Sequence, residues 1–273
     1  MPGQEGEVDK FEDRVAVVTG GAGGIGAALA AAFASRGARV VLADIDEESL
    51  ATVRNKLAKR GADVLAVPTD VRKRESLFEL AETTWGAFGQ AHILCNNAGI
   101  APFGPIVGAD PNDWKITMDI NFWGVVHGID AFVPRMRKQK AGGHIVNTAS
   151  MAGLTGMLGL GMYCASKFAV VGLTESLQRE LRGTGIGVSV LCPMIVETEI
   201  GANSQRALGK APLVEDPGPL VGGVISAEEV AARVVRAIDR NDLYILTHPE
   251  QRAILRKRAA KQDAMFEVDD WSL

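Results

Sequence analysis

The sequence lacks the features that would direct a chain to a membrane or to nucleic acid. It contains no run of about eighteen apolar residues, so we expect no membrane-spanning helix. Residues 1–13 are polar and acidic and have no apolar core, so we expect no signal peptide. A net charge of −4, from 29 basic and 33 acidic residues, offers no attraction for nucleic acid or anionic lipid. We therefore expect a cytoplasmic protein whose partners are small molecules.

Cysteine and histidine are scarce, and their spacing suits neither disulfides nor metal sites. The three cysteines form no CxxC pair and are odd in number, which predicts buried, reduced thiols at Cys95, Cys164 and Cys192. The four histidines lie far apart in the chain and lack metal-ligand spacing. We therefore predict that the protein has no metal site.

Short β-branched runs alternate with longer segments of helical periodicity, which predicts repeated βαβ units. The predicted strands cover residues 15–18, 39–43, 64–67, 92–95, 144–147, 187–191 and 243–246. The predicted helices cover residues 25–36, 47–60, 74–88, 111–138, 163–182, 227–240 and 249 to about 262. We expect an α/β fold: one Rossmann-type doubly wound domain over residues 14–273, with a seven-stranded, mainly parallel sheet and helices on both faces. Residues 1–13 are predicted to be a flexible tail.

Two segments late in the chain depart from this alternation. Residues 199–226 have no clear periodicity and are rich in glycine and proline, which predicts a loop that closes over the substrate. A mobile loop without a role is the alternative. Residues 249–273 form a C-terminal extension with several basic residues; a solvated basic helix or a subunit interface would explain them.

A glycine-rich turn, TGGAGGIG at residues 19–26, follows the first predicted strand and leads into an apolar helix. Such glycines let backbone N–H groups approach a pyrophosphate, and the start of the helix adds donors and a favourable dipole. A purely structural turn is the simpler alternative. The context of a strand before and a helix after favours dinucleotide binding.

Asp44 ends the second predicted strand, about twenty residues beyond the glycine-rich turn. A carboxylate there can accept a hydrogen bond from the adenosine ribose and would repel a 2′-phosphate. Ile45 follows it, and no basic residue is nearby to neutralise such a phosphate, so we predict NAD as the cofactor. Asp44 could instead cap the following helix, although Asp46 is better placed to do so.

The candidate catalytic groups are Asn121, Ser150, Tyr163 and Lys167. Tyr163 and Lys167 are four residues apart and would share one helix face. An ammonium group about 4 Å from the phenol would lower the tyrosine pKa by about three units at an effective dielectric of about 20. A tyrosine tuned in this way can exchange a proton near neutral pH, and Ser150 could hydrogen-bond the substrate oxygen.

Residues 19–26, the segment NNAG at residues 96–99, Asn121, Ser150 and the segment YCASK at residues 163–167 together resemble the short-chain dehydrogenase/reductase family in order and spacing. The resemblance covers residues 14 to about 246. It implies that Tyr163 is the acid–base, that Lys167 lowers its pKa and binds the nicotinamide ribose, and that Ser150 orients the substrate oxygen. Asn121 would hold a water in a proton path.

The same resemblance implies a set of cofactor contacts. Asp70 and Val71 resemble the adenine-contacting pair, Asn97 would steady the sheet, and residues 193–198 resemble the segment around the nicotinamide. The predicted cofactor residues are Gly20, Gly24, Ile25, Gly26, Asp44, Ile45, Asp70, Val71, Asn97, Ala98, Gly99, Tyr163, Lys167, Pro193, Ile195 and Thr198. Met194 departs from the family, because glycine is usual there.

Other interpretations of these residues remain open. Ser150 could only cap a turn, and Asn121 could be a buried structural amide. Apolar residues near the candidate catalytic groups favour an apolar secondary alcohol or ketone as substrate; they include Met151, Ala152, Leu154, Met157, Leu158, Leu160, Met162, Met194 and Ile200. Relatives pair their long helices, so a homotetramer or a dimer is expected. A non-catalytic dinucleotide-binding sensor or scaffold is the alternative function.

Overall fold

The computed structural model describes residues 10–210 and 222–267. Within these ranges seven strands form one parallel sheet in the order β3-β2-β1-β4-β5-β6-β7. The strands are β1 Val15–Thr19, β2 Arg39–Asp44, β3 Val64–Pro68, β4 Ile93–Asn96, β5 Gly143–Thr148, β6 Ile186–Cys192 and β7 Tyr244–Leu246. Every predicted strand is present with its ends displaced by no more than one residue. The predicted α/β fold is confirmed.

Helices cover both faces of this sheet. They are α1 Gly24–Ala34, α2 Glu47–Ala58, α3 Arg74–Phe88, α4 Pro111–Met118, α5 Gly124–Gln139, α6 Gly161–Glu180, α7 Ile200–Leu208, α8 Ala227–Arg240 and α9 Arg252–Asp263. Alternate strand residues enter two separate cores: Val18 packs with α1 and α8, and Val17 packs with α3, α5 and α6. Two buried faces therefore explain why the strands are apolar without alternation.

The amino-terminal boundary of the structured chain lies earlier than predicted. Phe11 belongs to the predicted flexible tail, yet it is fully buried and stacks on Phe33 with 5.6 Å between ring centroids. The Arg36 guanidinium lies 4.3 Å from the centroid of the same ring. One aromatic residue thus anchors a polar segment that composition alone marked as loose. Residues 1–9 of the predicted tail lie outside the described residues.

The predicted long helix over residues 111–138 is interrupted. Asp119–Trp123 form a π-helical turn between α4 and α5. A π turn inserts an extra residue into the helix and often marks a functional position. Helical periodicity does not reveal such a turn, because the apolar pattern continues on both sides of it.

The predicted unstructured loop over residues 199–226 begins with a helix. α7 buries Ser204 and Gln205, and the ammonium of Lys210 pairs with the carboxylate of Asp113. The expectation that residues 199–226 form a loop is therefore wrong for its first part. Residues 211–221 of the loop and 268–273 of the C-terminal extension lie outside the described residues.

The scarcity of cysteine has the expected structural result: Cys95, Cys164 and Cys192 are free and buried. Among the residues that the structure describes, no helix combines the length and the apolar character needed to cross a bilayer.

Candidate functional site

All strands of the sheet are parallel, so their carboxyl ends lie at one edge. β1 and β4 are neighbours there although two βα units separate them in the chain. In open α/β sheets the crevice at such a reversal of strand order receives the ligand. Thr19, Asn96, Thr148 and Cys192 end their strands at this edge, which we call the carboxyl edge.

The glycine-rich turn lies at the carboxyl edge of β1. Helix α1 starts at Gly24 and has Gly23 as its N-cap, which offers no side chain to its N–H groups, and its first turn has no acidic residue. A Cβ atom on Gly26 would overlap the carbonyl oxygen of Gly20, so only glycine permits this close passage. The uncapped helix start fits the pyrophosphate of a dinucleotide.

Thr19 and Asn97 join β1 to β4. The Thr19 hydroxyl oxygen accepts hydrogen bonds from the backbone N–H groups of Asn97 (2.9 Å) and Ala98 (3.2 Å). The Asn97 amide donates to the Thr19 carbonyl at 3.1 Å, and its oxygen accepts from the Thr148 hydroxyl at 3.3 Å. Asn97 thus ties together the ends of β1, β4 and β5, in agreement with the steadying role that the resemblance implied.

Asp44 is brought against the glycine-rich turn. One carboxylate oxygen accepts from the backbone N–H of Ala22 at 3.0 Å, and the other accepts from that of Asp46 at 3.1 Å. Asp46 itself is the N-cap of α2 and accepts from the Ser49 N–H, so the alternative that Asp44 caps this helix is wrong. Ile45 is 62% exposed beside them.

Asp70 and Val71 lie just after the end of β3. They are the pair to which the resemblance assigned contact with the adenine. The Asp70 carboxylate accepts two hydrogen bonds from the Arg72 guanidinium, at 2.8 and 2.9 Å, and this contact lowers the Asp70 pKa. Val71 is buried, and its carbonyl oxygen lies 3.0 Å from Nδ1 of His127 on α5.

Asn121 lies in the π turn and is fully buried. Its amide oxygen accepts from the Ile100 N–H at 2.8 Å, and its amide nitrogen donates to the Ile100 carbonyl (2.8 Å) and to the Ser166 hydroxyl (3.0 Å). The side chain therefore has the structural partners that the alternative interpretation expected. It ties the segment after β4 to α6, one residue from Lys167.

Lys167 is 2% exposed, and its ammonium donates to the Thr148 carbonyl at 2.8 Å. Burial lowers the Lys167 pKa to about 8. The ammonium lies 5.7 Å from the centroid of the Tyr163 ring. The predicted placement of the two side chains on one face of a helix is correct, because both lie in α6 and meet at the carboxyl edge.

Tyr163 is 8% exposed. Burial raises its pKa to about 12, and a hydrogen bond with Ser150 acts in the opposite direction. The predicted lowering by Lys167 is therefore wrong for this arrangement. The reason is that desolvation of the phenol dominates, while the Lys167 ammonium donates to the Thr148 carbonyl.

Ser150 caps the short 3₁₀ turn Met151–Gly153 and accepts from the Ala152 N–H at 3.1 Å. Its hydroxyl donates to the Pro193 carbonyl at 3.2 Å. The turn-cap interpretation is therefore correct as a description of its contacts. The same contacts fix the hydroxyl between the ends of β5 and β6.

Residues 193–198 lead from β6 towards the glycine-rich turn. The Ile195 carbonyl accepts from the Ile225 N–H at 3.1 Å, which holds this segment beside the start of α8. The Thr198 methyl lies 3.0 Å from where a Cβ on Gly24 would stand. The structure thus brings Thr198 next to the start of α1, where the predicted phosphate contacts are.

Two segments, residues 101–104 and 157–160, flank Tyr163 on the substrate side. Ala101, Met157 and Leu160 pack around a buried cluster that contains Tyr163, Ala152 and Cys164. The Gly104 N–H donates to the Gly159 carbonyl at 2.8 Å, and this hydrogen bond joins the two segments. The residues predicted to line the substrate site differ in exposure: Met151, Ala152 and Met162 are buried, whereas Leu158 is 99% exposed.

Helix α7 contacts the first of these segments, and the sequence did not point to its contacts. The Ser204 hydroxyl accepts from the Ala101 N–H at 2.8 Å, and Lys210 pairs with the buried Asp113 at the start of α4. These partners are 103 and 97 positions apart in the chain. No local pattern signals such contacts, so a single sequence could not have shown them.

Comparison with known proteins agrees with this geometry. A family model described as short chain dehydrogenase matches residues 14–209. The chain is 38% identical over 242 residues to the 1-deoxy-11-beta-hydroxypentalenate dehydrogenase of Streptomyces avermitilis, covering 88% of this chain and 86% of that one. It is 37% identical over 203 residues to the 3beta-hydroxysteroid dehydrogenase 2 of Eggerthella lenta, covering 72% and 78%. A crystal structure of a short chain dehydrogenase/reductase from Burkholderia phymatum in complex with NAD superposes with a TM-score of 0.87 at 39% identity, covering 94% of this chain and 96% of that one.

Proposed function

The chain belongs to the short-chain dehydrogenase/reductase family and is an NAD-dependent oxidoreductase of alcohols and ketones, and we propose that Tyr163 is its acid–base and that its substrate is apolar. NAD, when bound, accepts the hydride from the alcohol, and its reduced form returns a hydride to the ketone. The protein supplies the binding, the orientation and the proton.

The proposed cofactor contacts follow the carboxyl edge from β1 to β6. The N–H groups at the start of α1 would bind the pyrophosphate, and Asp44 would accept from the adenosine ribose. Ile45, Asp70 and Val71 would flank the adenine. Residues 97–99, Lys167 and the Pro193–Thr198 region would hold the nicotinamide and its ribose.

Tyr163 is proposed to give a proton to the ketone oxygen, or to remove one from the alcohol. Burial keeps its phenol protonated at neutral pH, which suits the donor role directly. In the alcohol direction, nearby positive charge must stabilise the phenolate. The Lys167 ammonium, 5.7 Å from the centroid of the Tyr163 ring, would supply this charge. Ser150 would hydrogen-bond the same substrate oxygen. We propose that Asn121 supports the proton path by fixing the π turn beside Lys167.

The observation that carries this proposal is the convergence of Ser150, Tyr163 and Lys167 at the carboxyl edge, beside the crevice between β1 and β4. The apolar cluster around Tyr163 favours a substrate without charge. Relatives named as dehydrogenases of a hydroxypentalenate and of a 3β-hydroxysteroid support a secondary alcohol on a largely apolar skeleton.

The test is turnover of NAD⁺ by the purified protein on a panel of apolar secondary alcohols, followed by NADH absorbance. Tyr163→Phe should abolish turnover of any confirmed substrate while NADH affinity stays within about threefold, because the phenol acts on the proton. A variant that retains more than a few per cent of wild-type kcat contradicts the assignment. NADH binding without turnover of any panel member would favour the sensor or scaffold function.

We further propose that residues 14–273 act as one catalytic domain and that the protein is a cytoplasmic homotetramer, or failing that a dimer. Three buried, unpaired cysteines suit a reducing compartment. Exposed apolar side chains at Trp123, Tyr244 and Leu246 suit contact with another copy. Light scattering coupled to gel filtration would test the assembly, and a monomer at micromolar concentration would contradict it.

A further inference from the structure

A cavity of about 520 Å³ opens at the amino ends of β1, β4, β5 and β6. It lies at the opposite edge of the sheet from Tyr163, so the reaction proposed above does not use it. We call it the amino-edge cavity. Its volume falls within the range of about 300–1,000 Å³ that small-molecule sites occupy.

Gly187 lines the amino-edge cavity at a position that has no room for a side chain. A Cβ atom at Gly187 would overlap both Nδ1 of His144 and Oδ1 of Asn241. Any other residue would therefore displace these two polar side chains, which line the cavity. Gly183 and Gly185 line it from the turn before β6 and add no side chains. The space is thus bounded by backbone, by polar side chains and by apolar ones such as Leu181 and Ile238.

Three cations line the cavity: Lys10, Arg14 and Arg182. Its lining includes no aspartate or glutamate among the residues that the structure describes. The Lys10 ammonium donates to the Asp239 carbonyl at 2.7 Å, and the Arg14 guanidinium donates to the Ala141 carbonyl at 2.9 Å. These bonds hold the cations in place without neutralising them.

Across residues 10–210 and 222–267, none of these three cations forms an ion pair. The carboxylate of Asp239, whose carbonyl binds Lys10, pairs with Arg36 at 3.0 Å. Three positive charges thus surround one cavity in a chain of net charge −4, and within the described residues no carboxylate pairs with any of them. Such an arrangement costs energy through mutual repulsion unless an anion offsets it.

The two histidines of the cavity do not add to this charge. Nδ1 of His92 accepts from the Val15 N–H at 3.1 Å, so its proton must be on Nε2. Nε2 of His144 lies 2.7 Å from the Ser189 hydroxyl, which donates to the Asp242 carbonyl and so must accept from the ring. Burial lowers the pKa of each to about 4, so both are neutral hydrogen-bonding groups at neutral pH.

We propose that the amino-edge cavity binds a small polyvalent anion that carries phosphoryl groups. Arginine guanidinium groups bind phosphate oxygens in pairs of parallel hydrogen bonds, and lysine adds a compact charge. The lining offers both kinds of group together with neutral donors. Polyvalence follows from the count of three cations that form no ion pair within the described residues.

The experiment is calorimetric titration of inorganic pyrophosphate into the full chain that is already saturated with NADH. NADH saturation blocks the phosphate contacts at the start of α1, so that only a second site is measured. Arg182→Gln should weaken pyrophosphate binding at least about tenfold, because the loss of a charge-assisted pair is large. The fold should tolerate this change, because the Arg182 guanidinium makes no hydrogen bond or ion pair with any residue in the described part of the chain. Arg14→Gln should act in the same direction.

Arg60→Gln is the matched control, because Arg60 is an exposed arginine after α2 and outside the cavity. This variant should leave the affinity for pyrophosphate unchanged. Sodium chloride at the ionic strength of the pyrophosphate solution should reduce pyrophosphate binding only in part. Equal weakening in Arg60→Gln would mean diffuse attraction to surface charge and would overturn the proposal. Absence of saturable binding to the NADH complex would overturn it as well.

Discussion

The two edges of this one sheet treat polar side chains in opposite ways. At the carboxyl edge, Asn97, Asn121 and Lys167 each bind backbone groups of a neighbouring segment, so their geometry is fixed. At the amino edge, Arg14 and Arg182 form no ion pair with any carboxylate of residues 10–210 and 222–267. The polar groups of the carboxyl edge therefore hold neighbouring segments in place, whereas the cations of the amino edge are the ones that we assign to a ligand.

The difference also concerns where the residues come from. The carboxyl edge draws on short motifs, such as residues 19–26 and 163–167, whose members are close in sequence. The amino edge and the helix α7 contacts join residues from distant parts of the chain. Groups held by backbone contacts and groups held by one side-chain pair, such as Lys210 with Asp113, should respond differently to substitution, which the following experiments measure.

The largest effect is expected from Gly26→Ala at the carboxyl edge. Its Cβ would overlap the Gly20 carbonyl oxygen, so the glycine-rich turn must move. NADH affinity should fall at least about 100-fold, equivalent to about 2.7 kcal/mol, in a fluorescence titration. Gly172→Ala in α6 is the control, because a Cβ there would have nothing within 4 Å and should leave NADH affinity unchanged. NADH affinity unaltered in Gly26→Ala would show that the turn is not rigid.

Cofactor choice tests the other anchored group of this turn. The wild-type protein should prefer NAD to NADP by at least about two orders of magnitude in kcat/KM, or about 2.7 kcal/mol. The double variant Asp44→Asn with Ile45→Arg should narrow or reverse that preference, because it removes the negative charge and adds a positive one. Asparagine keeps an acceptor for the Ala22 N–H, which limits damage to the turn. Equal use of both cofactors by the unmodified protein would refute the role of Asp44.

A smaller effect is expected where one side-chain pair holds the substrate side. Lys210→Met leaves the Asp113 carboxylate buried without its partner, so α7 should loosen from α4. We expect the substrate KM to rise about tenfold while NADH affinity stays within about twofold. Adding Asp113→Asn should restore part of the loss, because it removes the unpaired charge.

Lys56→Met, at an exposed position in α2, is the control for removing a surface lysine. A Lys210→Met protein with unchanged KM, or one that loses NADH and substrate affinity equally, would mean that the pair does not act on the substrate side alone.

The effect that is smallest at neutral pH should appear as a pH dependence of stability at the amino edge below pH 6.5. The pKa of His144 is lowered to about 4 from 6.5 by burial, so the unfolded chain binds this proton first. Its contribution to stability is complete above pH 6.5 and is lost as the pH falls through 4. His144→Gln, which can still donate to Ser189, should flatten thermal stability in this window. An identical decline in both proteins would assign the loss to other groups, and His92 is the first candidate.

Much of this molecule could be predicted from its sequence, and the limits have a physical pattern. Strands buried on both faces leave long apolar runs, and Tyr163 and Lys167 are near enough in sequence to share a helix face. The π turn at Asp119–Trp123, the Lys210–Asp113 pair and the burial of Phe11 arise from tertiary packing. The predicted lowering of the Tyr163 pKa is wrong for the same reason, because this pKa depends on burial and on where the Lys167 ammonium is held.

The strand order has a consequence for how the chain folds during synthesis. β1 is made first, yet its β4 partner emerges only after β2 and β3 are complete. The nascent chain therefore exposes an unpaired edge of β1, which invites association between chains until Ile93–Asn96 arrive. The bonds between Thr19 and Asn97 also form only then, so the cofactor turn becomes organised late. NADH added during refolding should bind only after the β1–β4 pairing step, and it cannot speed any step before it.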